Sequence, residues 1–171
     1  MLSMLSAKYV SIIFFNMSNF TIKIHIEEYL KQWFINDCGT SEPITLKPGS
    51  IESKVLETFL KRQPYNQPAE TVGESICIYI PTFKYKNAEI YNYLPSNAQK
   101  IFVSCIRNRF DIDLFTTLYK FENIHVDIQD LIRAFMEHHN IADNDKNFNS
   151  ILKRYQRLRL LYKDRERKKK I

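Results

Sequence analysis

Glycine is almost missing from this chain. Its 171 residues contain three, Gly39, Gly49 and Gly73, and no two of them are close in sequence. A GxGxxG dinucleotide turn or a Walker loop needs clustered glycines so that backbone amides can approach phosphate. Most nucleotide-dependent chemistry is thereby excluded. Cysteine is equally sparse: Cys38, Cys77 and Cys105 are odd in number, widely spaced and without a CxxC. That pattern fits neither a disulfide framework nor a zinc finger. It reads as small buried hydrophobes of a reducing, cytoplasmic compartment. Long apolar runs are missing too. The one near the start, Tyr9 to Phe15, is far short of the ~20 residues needed to cross a bilayer, so no membrane is expected. It lacks an Ala-x-Ala cleavage site as well. Met17 reads as the true start, with residues 1–16 over-extended and 1–19 an N-terminal extension.

What the chain does have is a polarised charge. Residues 1–140 carry a net −1, whereas residues 141–171 carry +7. A concentrated basic segment beside a neutral body is the electrostatic footprint of a polyanion binder, because each neutralised phosphate releases counterions. The plain alternative is a solvated helix with a soluble tail.

The hydrophobic pattern changes period along the chain. Thr21–Ile26 alternates as a half-buried strand, and Glu27–Asp37 reads as a helix stopped by Gly39. Pro43–Lys47 reads as a short strand. Ser50 then caps a helix to about Arg62 with Ile51, Val55, Leu56, Phe59 and Leu60 as its stripe, and Ser75–Ile80 is a strand ended by Pro81. Beyond Pro95 every segment is helical. Ser96 and Gln99 have capping-box spacing, a break is expected near Phe110–Asp111, and another helix starts about Asp127. Asn140 followed by Ile141 suits a left-handed helix end and its hydrophobic clasp. A last helix runs from about Asp143–Asn147 to Lys163. The expected fold class is α+β: a small β-α-β-α-β unit over 20–80, a connector over 81–95, an all-helical, helix-turn-helix-like domain over 96–165 ending in a basic amphipathic helix, and a basic tail over 166–171.

On that final helix Phe148, Ile151, Leu152, Tyr155, Leu158 and Tyr162 recur at spacings of three and four, so they share one apolar face. Lys153 and Arg157 lie opposite, with Arg154 flanking them. Arg159 falls near the apolar side, where an arginine snorkels or pairs. Against a DNA duplex, Lys153, Arg154, Arg157 and Arg165 would contact phosphates, while Asn149, Ser150 and Arg157 would reach base edges. Arg165, Arg167, Lys168, Lys169 and Lys170 would form an arm that strengthens binding without choosing sequence. The connection His139–Lys146 is longer than the three or four residues of a strict helix-turn-helix.

Two other constellations compete. The strand at 21–26 followed by a helix has the layout of a ribbon-helix-helix arm, which would send Lys23 and His25 into a groove. The segment 79–93 interleaves Tyr79, Phe83, Tyr85, Tyr91 and Tyr93 with Lys84 and Lys86, a composition suited to stacking single-stranded bases. Catalysis is not expected. His25, His125, His138 and His139 lack ligand partners at coordinating spacing, Cys105 falls in a core stripe, and Asp111, Asp113, Asp127 and Asp130 read as helix caps.

The runs Tyr91–Pro95, Ala134–Ile141 and Lys153–Arg159 together resemble small basic proteins of prophages and conjugative elements of anaerobic gut bacteria. The resemblance implies a mobile-element setting and assigns no residue a role. The expected function is non-catalytic binding of duplex DNA, with no cofactor and no small-molecule substrate. The alternatives are a structural or interaction module that docks an acidic protein, and a single-stranded nucleic-acid binder. A second copy of the chain is an open further partner.

Overall fold

A computed structural model describes residues 17–65, 73–121 and 127–169. It contains helices and a two-stranded sheet, an α+β architecture. The chain divides into two compact units. The first takes the segment ending at Ile26 together with Cys38–Val103, and the second takes Glu27–Asp37 and the chain from Ser104 onward. The helix Glu28–Cys38 groups largely with the later helices, where its buried Tyr29 and Trp33 both meet the Phe110 ring.

In the first unit β1 (Met17–His25) pairs antiparallel with β2 (Ser75–Pro81), matching Ile22 with Ile78 and Ile24 with Ile76. Strict alternation sends these isoleucines, with Ile26 and Ile80, into the core and leaves Thr21, Lys23 and His25 exposed. The strand expected at 43–47 shrinks to one bridge. Ile44 exchanges hydrogen bonds with β2 at 2.9 Å each, and the Glu42 carboxylate accepts from Cys77 N–H at 2.7 Å. Glu42 thus meets that edge through its side chain. Helix α2 (Ile51–Phe59) starts at Ser50, whose hydroxyl accepts from Ser53 N–H at 3.1 Å. It ends three residues earlier than expected because Lys61 leaves to pair with Tyr93. Ile51 is exposed, while Val55, Leu56 and Leu60 are buried.

The second unit contains α1 (Glu28–Cys38), the greater part of α3 (Ser96–Tyr119), α4 (Ile128–His138) and α5 (Asp145–Lys169). Helix α3 is continuous through Phe110–Asp111, where a break was expected. Its buried stripe runs Phe102, Ile106, Phe110, Leu114 and Leu118 at four-residue steps. The capping box at its start is not formed, since the Gln99 side chain donates to the Leu94 carbonyl instead. Phe110 meets Tyr29, Trp33 and Phe135 edge-on at 5.2–5.9 Å. Asp127 caps α4 by accepting from Gln129 N–H. The other end of α4 closes as expected: Asn140 has φ 53°, Ile141 N–H reaches the Met136 carbonyl, and Ile141 is buried.

Asp113 on α3 accepts from the Trp33 indole N–H at 2.9 Å and lies 3.2 Å from His139 Nε2. His139 Nδ1 is buried and has no hydrogen-bond partner among the described residues. Burial pushes the His139 pKa down, opposed by the nearby Asp113 charge and reinforced by His138. Asp111 and Asp113 thus act as tertiary partners rather than helix caps.

Two outcomes are expected. Replacing Phe110 with alanine empties the centre of the aromatic cluster and should cost about 3–5 kcal/mol, read by denaturant unfolding through Trp33 fluorescence. The native His139 resists the proton that the unfolded chain accepts, so its stabilising contribution is complete above pH 6.5 and is lost as pH falls through the lowered native value. Unfolding midpoints measured from pH 7.5 down to 5 should fall more steeply for the unaltered chain than for His139→Asn.

Candidate nucleic-acid interface

Helix α5 begins where Asn144 accepts from Asn147 N–H at 2.8 Å, and the connection before it is six residues long, 139–144. That connection is anchored: Ala142 N–H donates to the Gln32 side chain, Asn140 donates to Asn36, and Arg133 pairs with Asp143. At 1.5 Å per residue the 25 residues of α5 extend about 37 Å. Phe148, Ile151 and Tyr155 are buried, Leu158 is half-buried, and Tyr162 packs against Phe115 and Tyr119 at 5.2 and 4.9 Å. The apolar face expected from spacing is the face by which the helix docks. Helical structure also continues to Lys169, through a stretch expected as tail from 166.

The sequence-derived site residues fall into distinct environments. Asn149, Lys153, Arg157, Arg165 and Lys168 are exposed on α5. Arg167 lies 3.9 Å from Asp164, and Lys169 donates to Glu166 at 3.1 Å, both pairs within the helix. Ser150 donates its hydroxyl to the Lys146 carbonyl at 2.7 Å, leaving only its oxygen lone pairs for another partner. Arg154 faces α3, where it makes a two-pronged contact with Asp111. Those hydrogen bonds hold the guanidinium more firmly protonated than usual despite the opposing effect of burial. Lys170 and His125 lie outside the described residues.

Pairing divides the cations of this unit into two groups. Arg107, Arg109, Arg133 and Arg154 each hold a carboxylate: Glu27, Asp37, Asp143 and Asp111. Lys153, Arg157, Arg165 and Lys168 have no acidic group within ion-pair distance among the described residues. The field of Arg107, Arg109, Arg133 and Arg154 is thus cancelled locally, whereas that of these four α5 cations is not. Sequence counting located the surplus but could not remove Arg154 from it, because Asp111 is 43 positions away.

β1 is laddered to β2 of the same chain, and Lys23 and His25 stand opposite Cys77 and Ser75 in that ladder. Of the five aromatics in 79–93, Tyr85 is exposed, while Tyr79, Phe83, Tyr91 and Tyr93 are half-buried. Among the described residues no group of three or more His, Cys, Asp or Glu side chains is placed to hold a metal ion, and no helix is long and apolar enough to cross a membrane.

No protein-family model, curated protein or solved structure matches this chain.

The two environments of adjacent cations separate in a stability assay. Arg154→Ala should cost about 1–3 kcal/mol, because it leaves the mostly buried Asp111 carboxylate without its partner. Lys153→Ala should change stability by no more than about 0.5 kcal/mol. Chemical denaturation of the two variants checks both.

Proposed function

We propose that the protein is a non-catalytic binder of duplex DNA that engages the phosphate backbone with the outward cations of α5. The observation supporting this reading is the row Lys153, Arg157, Arg165 and Lys168, exposed and without carboxylate partners among the described residues, in a unit where Arg107, Arg109, Arg133 and Arg154 are each held by a carboxylate. A helix docked by Phe148, Ile151 and Tyr155 presents those charges from a fixed base. Asn149 and Ser150, nearer its N-terminal end, supply the groups that would read base edges. In this reading α4, the 139–144 connection and α5 act as a helix-turn-helix-like reader, and Arg167, Lys168, Lys169 and Lys170 add sequence-independent attraction. A phage or mobile-element setting, regulatory or accessory to replication or transfer, agrees with the resemblance described above.

The test is fluorescence anisotropy with labelled duplex across a salt series. Removing α5 altogether would strip Phe148, Ile151 and Tyr155 from the core, so substitutions serve better than truncation before the helix. Lys153→Ala combined with Arg157→Ala should lower the log–log salt slope by about 1.8, from ~0.9 per phosphate contact. An unchanged slope would remove α5 from the interface. No retention of duplex at moderate salt would overturn the reading in favour of an acidic protein partner.

A further inference from the structure

The first unit carries a second cationic and aromatic surface that the α5 reading does not use. Phe83 and Lys86 form an antiparallel bridge, so Lys84 and Tyr85 occupy the tip of a tight turn. The Tyr85 ring is 80% exposed, with the Lys84 ammonium 5.1 Å from its centroid. The turn is pinned from behind. Lys86 Nζ donates to the carbonyls of Thr58 and Leu60, at 3.0 Å each, at the C-terminal end of α2. That helix end leads directly to Lys61, which exchanges backbone hydrogen bonds with Tyr93 at 2.8 and 3.1 Å. The neighbouring Arg62 lies over the Tyr91 ring at 5.7 Å, and Tyr65 is fully exposed. The backbone beneath Tyr91 is held by a turn in which Ile90 and Tyr91 N–H both reach the Asn87 carbonyl.

From this arrangement we infer that the first unit is a binding site for unpaired bases of a single-stranded nucleic acid, with Tyr85 and the Arg62–Tyr91 pair as stacking platforms. The argument is chemical complementarity. A flat ring exposed at a rigid tip offers a π-face, and an unstacked base is the nucleic-acid group that can cover it. Each ring has a cation beside it, as a polymer of bases joined by phosphates requires. Residues 60–65 and 82–93 carry Lys61, Arg62, Lys84 and Lys86 against a single acidic residue, Glu89. Because the backbone is tied at Lys86, Lys61 and Asn87, presenting these rings costs little ordering on binding. Duplex DNA keeps its bases stacked on each other and cannot use the rings in this way.

The experiment compares, on the full-length chain, a labelled twelve-nucleotide oligothymidylate with an abasic strand of equal length and charge. Stacking on one ring is worth about tenfold in affinity, so the thymidylate should bind about tenfold or more tightly than the abasic strand. Tyr85→Ala, at an exposed tip, should weaken thymidylate binding about tenfold and leave abasic and duplex binding unchanged. Tyr85→Phe keeps the ring and should retain the preference. Lys153→Ala with Arg157→Ala should lower duplex affinity and leave the preference for thymidylate over the abasic strand in place, so failure of the α5 reading and failure of this inference are told apart. Equal binding of thymidylate and abasic strand, or a preference that survives Tyr85→Ala, overturns the inference.

Discussion

Three residues within one turn of α3, Phe110, Asp111 and Asp113, hold the helical unit together. Phe110 is buried against Tyr29 and Trp33 of α1 and Phe135 of α4. Asp111 takes Arg154 of α5, and Asp113 takes the Trp33 indole and faces His139 at the end of α4. One turn of helix therefore contacts each of the other three. The aromatic centre supplies the burial, and the two carboxylates on either side set how the neighbours are rotated, since each accepts from a group that must point toward it.

That arrangement has an electrostatic consequence. By drawing Arg154 inward, Asp111 subtracts one cation from the surface of α5 and secures the helix that carries the others. Glu27, Asp37 and Asp143 neutralise Arg107, Arg109 and Arg133 in the same way. On α5 the charges of Lys153, Arg157, Arg165 and Lys168 are left uncancelled, on a helix whose Tyr162 packs against Phe115 and Tyr119. Charge on a firmly docked helix keeps its geometry when a polyanion approaches, whereas the same charge on a loose tail would give attraction without orientation. In the first unit, Lys86 performs the equivalent service for Tyr85 by anchoring the turn to the carbonyl end of α2.

How much of this was readable beforehand depends on the range of the interaction. Period-two alternation in 21–26 and 75–80 located both strands, and Ser50, Gly39 and Asn140 marked the helix ends they occupy, because those signals act within a few residues. The apolar face of α5 was legible for the same reason. Misreadings arose where a local rule met a distant partner. Asp111 has the look of a helix break until Arg154 is placed against it, Ile44 makes one bridge to β2 with the Glu42 side chain taking the neighbouring Cys77 N–H, and Gln99 reaches Leu94 instead of closing a box.

Composition and periodicity alone thus determined an α+β chain with strands at 21–26 and 75–80 and its excess positive charge on the final amphipathic helix. They could do so because alternation, capping and charge counting are properties of neighbours in sequence. Only the tertiary structure decided which unit α1 belongs to, that α3 runs unbroken through Asp111, and which cations remain uncompensated. Each of those outcomes turns on a contact between residues dozens of positions apart, such as Trp33 with Asp113, whose energy no local pattern encodes.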